Sequence, residues 1–338
     1  MKAVQIVKAG EVRLIETGKP VPGSGEVLLK VLYVGFCGSD LSTYLGKNPM
    51  VTYPRIPGHE IAAIIESKSP DVPEHIQVGR KVTVVPYTFC GHCAACKRGR
   101  FNACEHNQTL GVQRDGAMAE YITVPWEKIL DAPGLSDREL ALIEPLTVGF
   151  HAIDRGRVAP QDVVMVMGCG MIGAGAISGA AHRGATVIAV DIDDDKLKKA
   201  LTLGATYTIN TAKTNLHKEI LHTLNNEAPD VVVEAVGNPI TYKAAIEEVA
   251  STGRVVCIGY AKNDIKFTTK LWVRKELDIL GSRNADTDNF KEVLSLLSSG
   301  SFPSKEVISK IVNPEEAADA FKEWSENPVK IFKILLKF

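Results

Sequence analysis

The chain has 338 residues, 45% of them apolar and 23% charged, a length and balance that suit about two globular domains. Lys and Arg number 39 against 40 Asp and Glu, leaving a net charge of -1. Such a chain has no field to hold polyanions, which argues against nucleic acid or an anionic membrane as main partner. Gly (28) and Pro (17) are spread along the chain, so low-complexity disorder is not expected.

The first residues, MKAVQIV, lack the apolar core and small-residue cleavage site of a signal peptide, and closely paired cysteines suit metal chelation better than a disulfide framework, so a reducing cytoplasm is expected. Up to about residue 145 the chain reads as β-rich. Short Val- and Ile-rich runs at 2–7, 12–16, 26–34, 61–66, 81–86 and 119–124 are separated by Pro and Gly turns. From Asp162 the rhythm changes to alternating strand and helix. Strands are expected at 163–167, 186–190, 207–209, 231–234, 255–258 and 277–280. Helices are expected at 171–183, 193–203, 216–225 and 241–250. Alternation of this length predicts a parallel sheet with helices on both faces. Residues 163–181 form an uncharged run as long as a membrane span. Five are Gly, however, and β-branched residues stand at the front, which fits strand, turn and helix better. Beyond Arg283 come helices at 290–298 and 315–324 and a terminal strand within 329–338; this tail is expected to return to the first domain. The expected domains are thus 1–145, 146–285 and a returning segment 286–338.

Gly168-Cys169-Gly170-Met171-Ile172-Gly173 is a G-x-G-x-x-G between an expected strand and an expected helix. The first Gly permits a tight turn, the second lets backbone approach a pyrophosphate, and the third lets helix and strand pack closely. Loop N–H groups and the helix dipole, from Met171 and Ile172 onward, favour phosphate. Asp191, eighteen residues after Gly173, ends the next strand. A carboxylate there accepts hydrogen bonds from the adenosine ribose and repels a 2′-phosphate, so NAD is favoured over NADP.

Cys90, Cys93, Cys96 and Cys104 follow a C-x2-C-x2-C-x7-C pattern in a lobe spanning 89–105. Four thiolates complete a closed tetrahedral zinc shell, a structural role that would fold a segment poor in apolar residues. An iron–sulfur cluster is the alternative occupant, although no second such run exists and the last gap is long. Lys97, Arg98 and Arg100 read as a solvated face. Three further pieces carry ligand chemistry: Cys37 in Gly-Phe-Cys-Gly-Ser-Asp, His59 and Glu60 in Pro-Gly-His-Glu, and Glu144 before Pro145. Singly each fits a buried thiol, a core imidazole or a loop carboxylate; beside a nucleotide loop and a zinc lobe they read together.

In this order, C-G-S-D at 37–40, G-H-E at 58–60, the cysteine lobe, E-P-L at 144–146 and the glycine loop, the chain resembles the zinc-containing medium-chain dehydrogenases. This is the family of alcohol, sorbitol and threonine dehydrogenases, and the likeness runs over essentially the whole chain. It implies an α/β protein: a GroES-like β-rich catalytic domain plus a Rossmann domain with a doubly wound, six-stranded parallel sheet, the active site lying in the cleft. It implies two zinc ions per subunit and NAD. Catalytic zinc would be held by Cys37, His59 and Glu144, with Glu60 as an exchanging ligand or near neighbour and Asp40 orienting His59. Glu144 matches the polyol and threonine branch, where liver-type enzymes carry Cys. Thiolate and carboxylate balance the metal's charge, and an open position admits an alcohol whose pKa falls enough to release a hydride to the nicotinamide. Ser39 would begin the proton path, and Ile192, Val236, Gly237, Ile258 and Ser282 would add cofactor contacts.

Departures are present. Ser42 replaces the His of C-G-[ST]-D-x-H, which leaves the relay beyond Ser39 to Ser42, Tyr44 or water. Ala63, Cys169 and Met171 differ from the usual Gly, Ala and Pro. Stretches at 84–87, 111–116, 141–145 and 281–285 are similar to bacterial hexonate dehydrogenases acting on L-galactonate or L-gulonate. Gln113 stands where that group often has His. A sugar acid needs a cationic anchor, for which Arg114, Arg283 and Asn284 are the candidates. The expected substrate is a small polyhydroxy molecule, with a polyol or polyol phosphate as the alternative. A homodimer or homotetramer follows the family. A catalytically silent dinucleotide-binding protein would be marked by loss of Cys37, His59 or Glu144, and all three are present.

Overall fold

A computed structural model describes all 338 residues, which divide into two compact units. The first comprises 1–144, 297–299 and 304–338; the second comprises 145–296 and 300–303.

In the first unit, β1 (Lys2–Lys8) and β2 (Glu11–Glu16) form an antiparallel hairpin. A mixed sheet is built from β3 (Glu26–Gly35), β4 (Glu60–Lys68), β5 (Lys81–Val84), β6 (Tyr121–Pro125) and β7 (Ile129–Asp131). β3 is its axis, pairing antiparallel with both β4 and β6. The apolar alternation of these strands fills a core of Val4, Ile6, Leu29, Val31, Ile61, Ile65 and Val84.

The second unit holds β8 (Val163–Met167), β9 (Thr186–Asp191), β10 (Tyr207–Asn210), β11 (Val231–Glu234), β12 (Arg254–Cys257) and β13 (Asp278–Gly281). All pairings are parallel, in the order β10-β9-β8-β11-β12-β13. That is the doubly wound order with its switch point beside β8, the expected fold. The uncharged run after β8 is a twelve-residue helix, Met171–His182. Its small residues have a packing cause: a Cβ on Gly175 would run into the Leu146 carbonyl, and one on Gly149 into Ala176, so the helix Ile143–Arg155 lies directly on it. No helix is long and apolar enough to cross a membrane.

The chain returns later than expected from sequence. The helix Thr287–Ser298 begins in the second unit, where Asn289 Nδ2 donates to Asp154 and Phe290 is fully buried. The first unit is completed by β14 (Lys310–Val312), the helix Ala317–Glu326 and β15 (Ile334–Lys337). β15 pairs with β3, setting Leu335 opposite Gly35, while Gly35 itself faces Glu60 across β4. This return buries Lys333, the one Lys or Arg side chain that is buried. Lys333 Nζ donates to both Glu60 oxygens at 2.7 Å and to the Phe36 carbonyl at 3.0 Å.

Removing one partner of a buried ion pair strands the other charge. Lys333→Met is therefore expected to lower stability by about 3–5 kcal/mol. Denaturant unfolding of the purified variant checks this; a midpoint equal to that of the wild type would contradict it.

Candidate active site and cofactor loop

Cys37 stands where β3 ends and the helix Gly38–Tyr44 begins. Its N–H donates to Asp40 Oδ2 at 2.9 Å, which locks the turn. His59 immediately precedes β4, after Gly58 at φ +103°. The backbone of 57–58 is clamped from behind: Ala117 N–H donates to Gly58 O and Met118 N–H to Pro57 O, both at 2.9 Å. A side chain on Gly111 or Gly116 would collide with the Gly58 backbone. The 111–116 stretch, one of the hexonate-like segments, thus has a packing reason to keep its glycines.

The ligand atoms of Cys37, His59 and Glu60 lie within 4.8 Å of one another. That trio contains Glu60 where Glu144 was expected as third donor. Glu144, buried at the start of the helix Ile143–Arg155, instead receives the Tyr87 phenol on Oε1. Tyr87 and Lys333 were not singled out from sequence. The signals were a Tyr directly before the cysteine lobe and a Lys inside the apolar run Ile331–Leu336.

The electrostatics of this cluster follow from burial. Desolvation pushes the Glu60 carboxyl up to about 7, against the pull of Lys333 and with the push of Glu144. Burial raises Asp40, only partly offset by His59 and by the Cys37 N–H. For His59, burial alone would lower the pKa, but the Cys37 sulfur, Asp40 and Glu144 outweigh it and hold the imidazolium well above its ordinary value. Burial, then the Glu144 charge, keep the Tyr87 phenol protonated. His59 Nδ1, Asp40 Oδ1 and Ser39 Oγ are buried without hydrogen-bond partners. Asp40 is therefore fixed on the Cys37 backbone rather than directly bonded to His59. Tyr44 stacks on Phe321 with ring centroids 5.5 Å apart, which makes it part of the core and a poor relay. A thiol, an imidazole with an unpaired ring nitrogen and the Glu60 carboxylate, with the Glu144 charge felt by His59, fit a zinc ion in donor type and charge.

The four thiols of Cys90, Cys93, Cys96 and Cys104 also come within 4.8 Å of one another, and none is in a disulfide. N–H groups turn inward onto sulfur: Cys90 and His106 onto Cys104 at 3.3 Å, and Cys93 onto Cys90 at 3.4 Å. Backbone hydrogen bonds from Cys96 and Glu105 bring the Cys93 thiol down to about 6, while burial pushes Cys96 up to about 12. Lys97, Arg98 and Arg100 are exposed.

In the second unit the glycine loop leaves β8. A Cβ on Gly173 would overlap Gly168 O, so the fold itself requires that glycine. Gly170 has φ -75° and nothing within 4 Å of its missing Cβ. The protein imposes no glycine there; the open space is where a pyrophosphate would approach the helix N-terminus. Asp191 Oδ2 accepts from Cys169 N–H at 2.8 Å, and Oδ1 from Ile192 and Asp193 N–H at 2.7 and 3.1 Å. Val236 flanks the loop, its Cγ2 lying 2.6 Å from where a Gly168 Cβ would be. Gly237 is stitched to the buried Glu234 carboxylate, and Ile258 N–H donates to Glu234 O. Ser282 N–H donates to Cys257 O, leaving its buried Oγ unpartnered.

Of the substrate candidates, Arg114 is exposed and lines a hollow with Tyr87, Thr88 and Lys128. Arg283 and Asn284 follow β13 in the second unit, both half-buried, with Asn284 at φ +53°.

Comparison with known proteins gives the family. Residues 23–134 match the model for the alcohol dehydrogenase GroES-like domain, and 172–299 that for a zinc-binding dehydrogenase. Sorbitol dehydrogenase of Bacillus subtilis is 33% identical over 99% of this chain and 97% of its own length. L-galactonate-5-dehydrogenase of Escherichia coli K12 is 33% identical over 83% of this chain and 82% of its own. The structure of a short chain alcohol dehydrogenase (rspB) from E. coli CFT073 with NADH superimposes with a TM-score of 0.92 at 32% identity, covering 100% and 99% of the two chains. The chain belongs to the zinc-containing medium-chain dehydrogenases, NAD(P)-linked oxidoreductases of the alcohol and polyol dehydrogenase type.

Proposed function

We propose that the chain is an NAD-dependent dehydrogenase that oxidises a secondary alcohol of a sugar acid, a hexonate of the L-galactonate or L-gulonate kind. In this reading Cys37, His59 and Glu144 hold the catalytic zinc with Glu60 beside them, and Cys90, Cys93, Cys96 and Cys104 hold the structural one. The observation that carries it is the cluster of buried Asp40, Glu60 and Glu144 beside the half-buried Cys37, set against one buried Lys side chain, Lys333. Both Glu60 oxygens are engaged by Lys333, which supports Glu144 as the carboxylate ligand. Zinc at this point supplies Lewis acidity that makes an alcohol proton easy to remove.

The chain's own groups do the rest. Ser39 Oγ, buried and unpartnered beside Cys37, is the first hydroxyl to which that proton passes. The Gly170 opening and the N-terminus of the helix Met171–His182 seat the dinucleotide. Asp191 sets a carboxylate where a 2′-phosphate would otherwise lie. Arg114, exposed on the first unit, offers a guanidinium to anchor the acid's carboxylate. The polyol reading keeps one specific support: the likeness to sorbitol dehydrogenase spans nearly the whole chain.

NADH formation by zinc-replete protein separates these substrates. The panel is L-galactonate, L-gulonate, D-gluconate, sorbitol, galactitol 1-phosphate and L-threonine, each with NAD and NADP. Highest kcat/KM for a hexonate with NAD is expected; preference for sorbitol would remove the carboxylate anchor and leave the metal chemistry in place. For Asp191→Ala, a raised KM for NAD and a loss of about tenfold or more in preference over NADP are expected, since two ribose hydrogen bonds and one repulsion disappear. An unchanged preference would refute the ribose assignment.

A further inference from the structure

Tyr87 has no role in the site as described so far, yet its phenol donates to Glu144 from inside the protein. The side chain is buried and issues from the root of the cysteine lobe. Its backbone bridges to Thr109 in antiparallel register, with Leu110 N–H on Pro86 O and Thr88 N–H on Gln108 O, both at 3.1 Å. Thr88 is pinned in turn: Gln108 N–H donates to its Oγ1 and Asn107 Nδ2 to its carbonyl, each at 2.8 Å. Tyr87 is therefore a short, rigid arm, an aromatic ring with two torsions on a doubly anchored backbone. Glu144 is the opposite, a carboxylate on three torsions at the first turn of a helix. Beside it stands Glu60, a second carboxylate already close to Cys37 and His59. A site with two carboxylates needs a device that decides which one faces the metal, and in what orientation.

We infer that Tyr87 is a positioning residue for the catalytic metal: its phenol, braced by the root of the cysteine lobe, commits Glu144 Oε1 and so holds that carboxylate in its ligand orientation. The inference rests on the reading that Glu144 is a ligand. Tyr87 itself touches neither metal nor substrate in this account; it acts through Glu144. A partner of this kind is worth about 10–100-fold in metal affinity.

The test uses full-length, zinc-loaded protein and follows the rate at which EDTA removes the more labile zinc, with the visible spectrum of the cobalt-substituted form as second readout. Tyr87→Phe keeps the ring and removes the donor. It is expected to lose that metal about 10–100-fold faster, to shift the cobalt bands, and to keep the lobe metal and the melting temperature. Tyr87→His, whose nitrogen falls short of Glu144, is expected to behave alike and serves if the Phe variant does not fold. Wild-type release and spectrum in a folded variant would overturn the inference. Glu144→Ala separates the two levels. If it leaves release unchanged, the ligand reading itself fails. If it speeds release while Tyr87→Phe does not, only the positioning role fails. In the double variant, Tyr87→Phe should add nothing once Glu144 is gone; additive effects would show a merely structural residue and overturn the inference.

Discussion

The site in the first unit turns on an excess of buried carboxylates. Asp40, Glu60 and Glu144 are buried, Asp40 and Glu60 where β3 ends and β4 begins beside the half-buried Cys37, and the fold supplies one buried Lys or Arg side chain, Lys333, against them. In a low-dielectric interior such a set cannot all ionise unaided. The protein answers in part with protons: Glu60 is pushed up to about 7, Asp40 is raised, and His59 is held as imidazolium. A divalent cation resolves the same imbalance more completely, replacing the His59 proton and letting the thiol and carboxylate act as anions. Much of the local architecture serves that point. The 111–116 turn backs the His59 loop, β15 delivers Lys333, and the cysteine lobe delivers Tyr87.

The glycine loop of the second unit illustrates how the demands of fold and ligand differ. Gly173 is needed by the fold, since any side chain would strike Gly168 O. Gly170 is needed by nothing in the protein, having an ordinary φ and open space before it. A residue that the fold leaves free and the motif keeps small is what a bound pyrophosphate requires. Asp191 Oδ2 accepts from Cys169 N–H, so the carboxylate proposed for the ribose and the loop proposed for the pyrophosphate are held as one unit.

Much of this was legible in the sequence because it is local. The strands of the parallel sheet stand as apolar runs at 163–167, 186–190 and 231–234, and each is present within a residue or two. Close cysteine spacing announced the lobe. What escaped was set by contacts distant in sequence. The helix Thr269–Lys275 and the short strands β7 and β14 carry weak periodicity and exist through their neighbours. The helix Thr287–Ser298 has an amphipathic pattern that does not say which core it joins; Asn289 and Phe290 decide it. Lys333 and Tyr87 became visible only when β15 and the lobe root were folded against residues 273 and 57 positions away. Within the 111–116 stretch, Gly111 and Gly116 have a cause that sequence did not show, the backbone contact with Gly58.

If the Cys37–His59 cluster of the first unit is a metal site distinct from the cysteine lobe, the two must fill independently. Zinc per chain, counted by mass spectrometry in wild type and Cys37→Ser, decides this. Two zinc ions are expected in the wild type and one in the variant, with NADH binding retained. One zinc in both proteins, or two in both, would contradict it.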